Sequence, residues 1–158
     1  MASDLGDTLN YLRRICSRRE YCSRDIYEKA LKRLESKDAA SEALAVLTGE
    51  NFVSDERYAV AFAGDRSSIA GWGELKIRRA LALKGIPSDI IDNALESIDV
   101  SRKDEKLRRV LEVKYKMLEG DACVRLKMLK FAFSRGYTYD EVNEVVSEIM
   151  YGKNEDLQ

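Results

Sequence analysis

Arg102, Lys106, Arg109 and Lys116 recur at i, i+4, i+7 and i+14, a spacing that lays four cations along one stripe of a helix. The chemistry open to such a stripe is anion binding, to the carboxylates of an acidic protein groove or to phosphates. A second basic run, KIRRALALKGIP over residues 76–87, carries four cations, Arg78 and Arg79 among them, and no acid. A third cluster, Arg13, Arg14, Arg18, Arg19 and Arg24, is opposed only by Glu20. For each stripe the alternative reading is a solvated face. The charge is nevertheless segregated. Residues 76–136 hold 15 Lys or Arg against nine Asp or Glu, a balance of +6, and residues 137–158 hold one Lys against six acids, a balance of −5. With a net charge of −1 for the whole chain, tight autonomous DNA binding, which draws on many phosphate contacts and a basic domain, is disfavoured. An acidic protein groove, or a filament that contains nucleic acid, suits the pattern better.

Catalytic chemistry has little to work with. The chain has no histidine, which excludes His-based triads and most zinc sites. Its three cysteines, Cys16, Cys22 and Cys123, form no CxxC pair and read as buried or idle thiols. The glycine-bearing stretch GDRSSIAGWG, residues 64–73, follows a helical segment and lacks GxxxxGK[ST], so it reads as a connection rather than a phosphate loop. Trp72 within it is a packing residue or an aromatic anchor at an interface. No nucleophile–base pair and no paired acids stand in a recognisable spacing. The expectation is a binding protein with no metal, no cofactor and no catalytic residue.

The elements that must position these cations are helical. Apolar residues make up 45% of the chain and charged ones 35%, with one Pro and abundant Ala, Leu, Glu, Lys and Arg. No stretch reaches the roughly 18 apolar residues of a membrane helix. The start, MASDLGDTLNYLRR, lacks a signal peptide's apolar core. The expected location is the cytoplasm, with no membrane contact.

Three segments align at a constant offset of 51 residues: IYEKALKRL from Ile26, IRRALALKG from Ile77 and MLKFAFSRG from Met128. Each is followed by a second helix opened by an aspartate, at Asp38, Asp89 and Asp140. Gly85 and Gly136 fall where a left-handed helix stop is needed, and Leu34 in the first copy requires a different turn. Thr138 with Glu141 forms a capping box. Ser54 caps a third helix from Asp55, with Tyr58, Phe62 and Ile69 on one face. Ser101 caps another reaching Leu118, with Leu107, Val110, Leu111 and Leu118 inward. An extra helix over 8–19 precedes the first unit.

Since two helices cannot bury their apolar faces alone, the expectation is an all-α fold. It consists of tandem three-helix repeats in an elongated, curved array of about nine helices. The expected division is an N-terminal helical segment over 8–22, unit 1 over 23–70, unit 2 over 73–120, a truncated unit 3 over 121–150 and a tail over 151–158.

The block FVSDERYAVAFAGDRS, with Asp55-Glu56-Arg57-Tyr58-Ala59, continues into GWGELKIRRALALKGIPSDIIDNAL, with Gly71 to Gly73, Ile77, Leu81, Lys84, Gly85 and Ile86. It resembles the RecX family, regulators of the bacterial RecA recombinase. SRREYCSRDIYEKAL from Ser17 and FSRGYTYDEV from Phe133 resemble the family's first and last units. The turn before Ile77, Gly-Glu-Leu-Lys, departs from the family's more basic version. The resemblance implies a repeat array that lodges in the groove of the RecA–DNA filament. It would there modulate, and usually inhibit, recombination, ATP hydrolysis and coprotease activity. Implied with it are a monomeric state, weak direct contact with DNA and a regulatory part in DNA repair and the SOS response. The residues expected to meet the partner are Arg78, Arg79, Arg102, Lys106 and Arg109, with Arg13, Arg14, Arg18 and Arg19 as a second set.

Overall fold

A computed structural model describes residues 2–152. Among these residues there are nine α-helices and no strand: α1 (Leu5–Cys16), α2 (Ser23–Leu34), α3 (Lys37–Gly49), α4 (Asp55–Ser68), α5 (Glu74–Leu83), α6 (Ser88–Glu96), α7 (Val100–Met117), α8 (Val124–Ser134) and α9 (Tyr139–Tyr151). The all-α expectation holds. Most of the expected tail lies outside the described residues.

The repeat is visible in burial. Ile26, Ile77 and Met128 are all fully buried at the 51-residue offset, as are Ala30 and Leu81, with Ala132 nearly so. Ala40, Ile91 and Val142 are buried in the same way on the second helix of each copy. Burying one such aliphatic side chain is worth about 1.5–3 kcal/mol, so the period records where each unit gains its stability. Gly85 and Gly136 take positive φ, 79° and 93°, as helix stops. In the first copy the left-handed residue is Glu35, φ 55°, one position later than the alignment puts it.

The chain divides into two compact units, one holding the residues up to Phe62 together with Leu81–Glu96, the other Ala63–Ala80 and the residues from Ser97 onward. The division falls inside α4 and inside α5. In the first unit α1, α2 and α3 pack on one another around Leu12, Ile26, Ala30, Ala43 and Leu47. In the second, α7, α8 and α9 do so around Leu111, Met128, Ala132, Val142 and Val146. Grouping by packing thus begins with the helix that precedes each aligned pair, whereas the 51-residue alignment begins at α2, α5 and α8.

Several local expectations change. The first helix starts at Leu5, because Asp4 caps it by accepting from the Asp7 N–H at 2.7 Å, and it ends at Cys16. Arg18 and Arg19 therefore lie beyond it. The cap of α7 is Asp99, which accepts from the Arg102 N–H at 3.2 Å, and not Ser101. Ser54 does cap α4, accepting from the Arg57 N–H at 3.2 Å, and the Thr138–Glu141 capping box is present.

The inward face of α4 is Ala59, Ala63 and Ser67, whereas Tyr58 and Phe62 are half-buried and Ile69 is 70% exposed. Tyr58 and Phe62 instead stack on each other with ring centroids 5.9 Å apart. Ala59, Ala63 and Ser67 recur at i, i+4 and i+8, so the buried stripe of α4 is made of small side chains and the larger ones stand beside it.

The Asp-Glu-Arg-Tyr motif is used structurally within the first unit. Cys22, the N-cap of α2, makes no side-chain cap. The Asp55 carboxylate supplies one, accepting from the Ser23 N–H at 2.8 Å and from its hydroxyl at 2.7 Å. Arg57 reaches Glu20 at 3.0 Å and donates to the Asn51 side chain and carbonyl, both at 2.9 Å. These bonds close the connections before and after α2–α3.

Candidate functional site

Helix α7 runs 18 residues without Gly or Pro, and its last turn carries Lys114 and Lys116, favourably placed against the helix dipole. Leu107 and Leu111 turn into the core of the second unit and fix the rotation of the helix. That rotation sorts the cations. Lys103 lies 3.7 Å from both Glu74 and Glu141, and Arg108 pairs with Glu148. Arg102, Lys106 and Arg109 fall on another face, where they line a hollow of about 290 Å³ with Ser68, Ile69 and Glu105. Arg102 and Arg109 are exposed and Lys106 is half-buried, its side chain passing beside Gly71.

Lys106 and Arg109 also border a second hollow of about 410 Å³, whose wall is completed by Phe131 of α8 and Arg135 just after it. There Lys114 Nζ lies 5.3 Å, and Arg135 Cζ 5.1 Å, from the centre of the Phe131 ring. Cations over an aromatic face are attracted by its quadrupole. Val113 and Met117, 60% and 73% exposed, form the apolar part of this wall. Lys116 is exposed but borders neither hollow.

Arg79 is exposed and borders a different hollow, of about 550 Å³, with Leu75, Lys76 and Phe133. Arg78 is half-buried and lines none of the three. Neither Arg78 nor Arg79 thus shares a hollow with Arg102, Lys106 and Arg109. Trp72 is half-buried between two cations, with Arg66 Cζ 4.9 Å and Lys76 Nζ 4.4 Å from its ring.

The N-terminal arginines differ among themselves. Arg13 is bound to Glu50 by two bonds, of 3.0 and 2.6 Å, and to Asn10 at 3.3 Å. The Glu50 hydrogen bond raises the Arg13 pKa, and the carboxylate is correspondingly lowered. Arg14 stands 5.7 Å from the Tyr11 ring centre, Arg19 stands 4.2 Å from that of Tyr21, and Arg18 is exposed.

Sequence reasoning missed Lys114, Arg135 and the exposed pair Val113 and Met117. The signal was an apolar set on α7 too broad for one inward stripe, since Val110, Val113 and Met117 stand off the Leu107–Leu111 line. Among the described residues no group of three or more His, Cys, Asp or Glu is arranged to hold a metal ion. No described helix is long and apolar enough to cross a membrane. All three cysteines are free, with Cys22 buried and Cys123 exposed.

A sequence profile described as RecX, second three-helix domain, matches residues 54–95, the span of α4 to α6. The chain is 30% identical over 142 residues to the regulatory protein RecX of Haemophilus ducreyi, covering 90% of this chain and 89% of that one. Against the protein of the same name from Clostridium tetani it is 26% identical over 150 residues, 92% of this chain and 67% of that one. Against that of Clostridium perfringens (strain 13) it is 29% identical over 130 residues, covering 80% of this chain but only 60% of the relative's length. The crystal structure of RecX from Lactobacillus salivarius superposes with a TM-score of 0.77 at 19% identity, over 92% of this chain and 96% of that one. At that identity the likeness is one of fold.

Proposed function

Because the chain belongs to the RecX family, we propose that it is a regulator acting by binding, and that its partner is the filament RecA forms on DNA. The observation that carries this reading is the sorting of charge on α7. Lys103 and Arg108 are engaged with acids of their own unit, while Arg102, Lys106 and Arg109 border open hollows. A rigid helix that holds cations outward in this way is suited to an acidic surface. Such contacts chiefly set association rate and salt sensitivity. The chain acts as a monomer in the cytoplasm, and its effect is to modulate, in the inhibitory direction, DNA-dependent ATP hydrolysis, recombination and coprotease activity.

Arg79, with Lys76, is a second contact, and Arg78 belongs to the same helix. The exposed N-terminal cations Arg14, Arg18 and Arg19 are a third, with Arg13 largely committed to Glu50. A weak direct contact with DNA is favoured by Trp72 with Arg66 and Lys76 beside it, an aromatic–cation set of the kind on which single-stranded bases stack.

The test is capture of the full chain on RecA assembled on single-stranded DNA, beside free RecA and free DNA. The reading requires filament binding well above both controls. Equal binding to DNA alone would make the chain a nucleic-acid binder, and equal binding to free RecA would remove the filament from the account.

A further inference from the structure

We propose that the hollow between α7 and α8 is a docking groove for an acidic amphipathic helix of a protein partner. This rests on the reading above and deepens it, because Lys106 and Arg109 belong to both surfaces. It assigns protein carboxylates, rather than nucleic-acid phosphates, to these cations.

The groove has a volume of about 410 Å³ and an apolar floor made by Val110, Val113, Met117 and Phe131. Val113 and Met117 are 60% and 73% exposed, one turn apart, which leaves a continuous apolar strip in water. The rim is Lys106, Arg109, Lys114 and Arg135, and no carboxylate of a described residue lines it. Two of the rim cations are held in place. Arg135 donates to the Ala70 carbonyl at 3.1 Å while its guanidinium lies 5.1 Å from the Phe131 ring centre, and Lys114 lies 5.3 Å from the same point.

An apolar floor between fixed cations is complementary to a helix with leucine-like anchors on one face and carboxylates flanking them. Charge complementarity commits the occupant's sign, and the exposed aliphatic strip of Val113 and Met117 commits its class. Single-stranded nucleic acid gains from exposed aromatic platforms. The one aromatic of this floor, Phe131, is instead half-buried with Lys114 and Arg135 at its ring, and the exposed part, Val113 and Met117, is aliphatic.

The test uses the full chain and a fluorescent synthetic helix of Leu and Glu at heptad spacing, beside the same helix with Lys for every Glu, and oligo-dT. The Glu helix is expected to bind at least about tenfold tighter than the Lys helix, and Val113→Glu with Met117→Glu to weaken it about tenfold or more. Both positions are exposed, so helical circular dichroism should not change. If it does, Val113→Ala with Met117→Ala carries the test, with a loss of about threefold expected.

Undiminished binding by the folded variant overturns the proposal. So does oligo-dT that displaces the helix and itself depends on Val113 and Met117, which would give the groove to nucleic acid. Self-association of the unmodified chain that the variant abolishes would give it to a second copy, with the same consequence. Binding to RecA filaments without binding to the Glu helix overturns this inference and leaves the proposed function standing. Binding to the Glu helix without binding to filaments does the reverse.

Discussion

Gly73 and Gly136 meet backbone to backbone in the second compact unit. The Gly73 N–H donates to the Arg135 carbonyl at 2.6 Å, and the Leu75 N–H donates to the Gly136 carbonyl at 3.2 Å. The turn that ends α8 thereby satisfies the free donors at the start of α5, as a side-chain cap would. In the first unit the corresponding turn, one repeat earlier, meets the start of α2 through side chains. Arg24 donates to the Leu83 carbonyl at 2.6 Å, and Lys84 lies 3.0 Å from Asp25. The repeat conserves the place of the contact and changes its chemistry.

The backbone contact leaves no room for a Cβ. One on Gly73 would stand 2.4 Å from the Gly136 carbonyl oxygen, and one on Gly136 would stand 2.5 Å from the Lys76 Cβ. Gly73→Ala is expected to cost about 3 kcal/mol, the upper end of overpacking, because the two backbones must part. Thermal unfolding should show the melting temperature falling by about 6 °C or more. Gly64→Ala, where a Cβ meets nothing within 4 Å, is the control and should raise stability by up to about 1 kcal/mol. Equal effects at the two sites would contradict the close approach.

Asp55→Ala removes the side-chain acceptor of the Ser23 N–H at the start of α2, together with its bond to the Ser23 hydroxyl. The expected cost is about 1–2 kcal/mol, in the range for loss of a helix cap. Urea unfolding should show a lower midpoint with an unchanged slope. Asp55→Asn, which keeps one acceptor oxygen, should recover part of the loss. Full stability in Asp55→Ala would mean that water caps α2 equally well.

Tyr137 contributes to the alkaline limit, as does Tyr58, whose phenol is also raised by burial. Burial pushes the Tyr137 phenol from the ordinary value of 10 up to about 12, and Glu141 and Asp104 push in the same direction. Between these values the folded state retains a proton that the unfolded state has lost, so stability falls as pH rises from about 10 to about 12. Burial also raises the Cys22 thiol above its ordinary value of 9.0, which begins the decline earlier. The Tyr137 hydroxyl has no hydrogen-bond partner among the described residues. Tyr137→Phe should therefore be neutral or stabilising by about 1 kcal/mol at neutral pH and should flatten the upper part of the alkaline decline. A variant less stable than the parent at pH 7 would show that the hydroxyl is engaged.

Positions with a strong period were legible in the sequence. Ile26, Ile77 and Met128 announced their own burial, and Thr138 with Glu141 announced a helix start. The inward face of α4 was not legible, because Ala59, Ala63 and Ser67 carry little hydrophobic signal beside Tyr58 and Phe62. Nor was the start of α1, which lies at Leu5, directly after the Asp4 cap and ahead of Gly6. Of the site, the Arg102–Lys106–Arg109 stripe could be read from spacing alone. The engagement of Arg13 by Glu50 could not, because it joins residues 37 positions apart. The groove was hidden for a similar reason, since Phe131 reaches it from α8 and Arg135 from the turn that follows.

The account turns on the α7 stripe. Arg102, Lys106 and Arg109 are proposed to meet an acidic partner while contributing little to the fold, since surface charges usually change stability by less than about 0.5 kcal/mol. The direct measurement is RecA's DNA-dependent ATP hydrolysis titrated with the full chain and with Arg102→Glu, Lys106→Glu and Arg109→Glu combined. The account predicts inhibition by the unmodified chain and none by the triple variant, at equal helical circular dichroism. Full inhibition by the folded triple variant across the titration would contradict it.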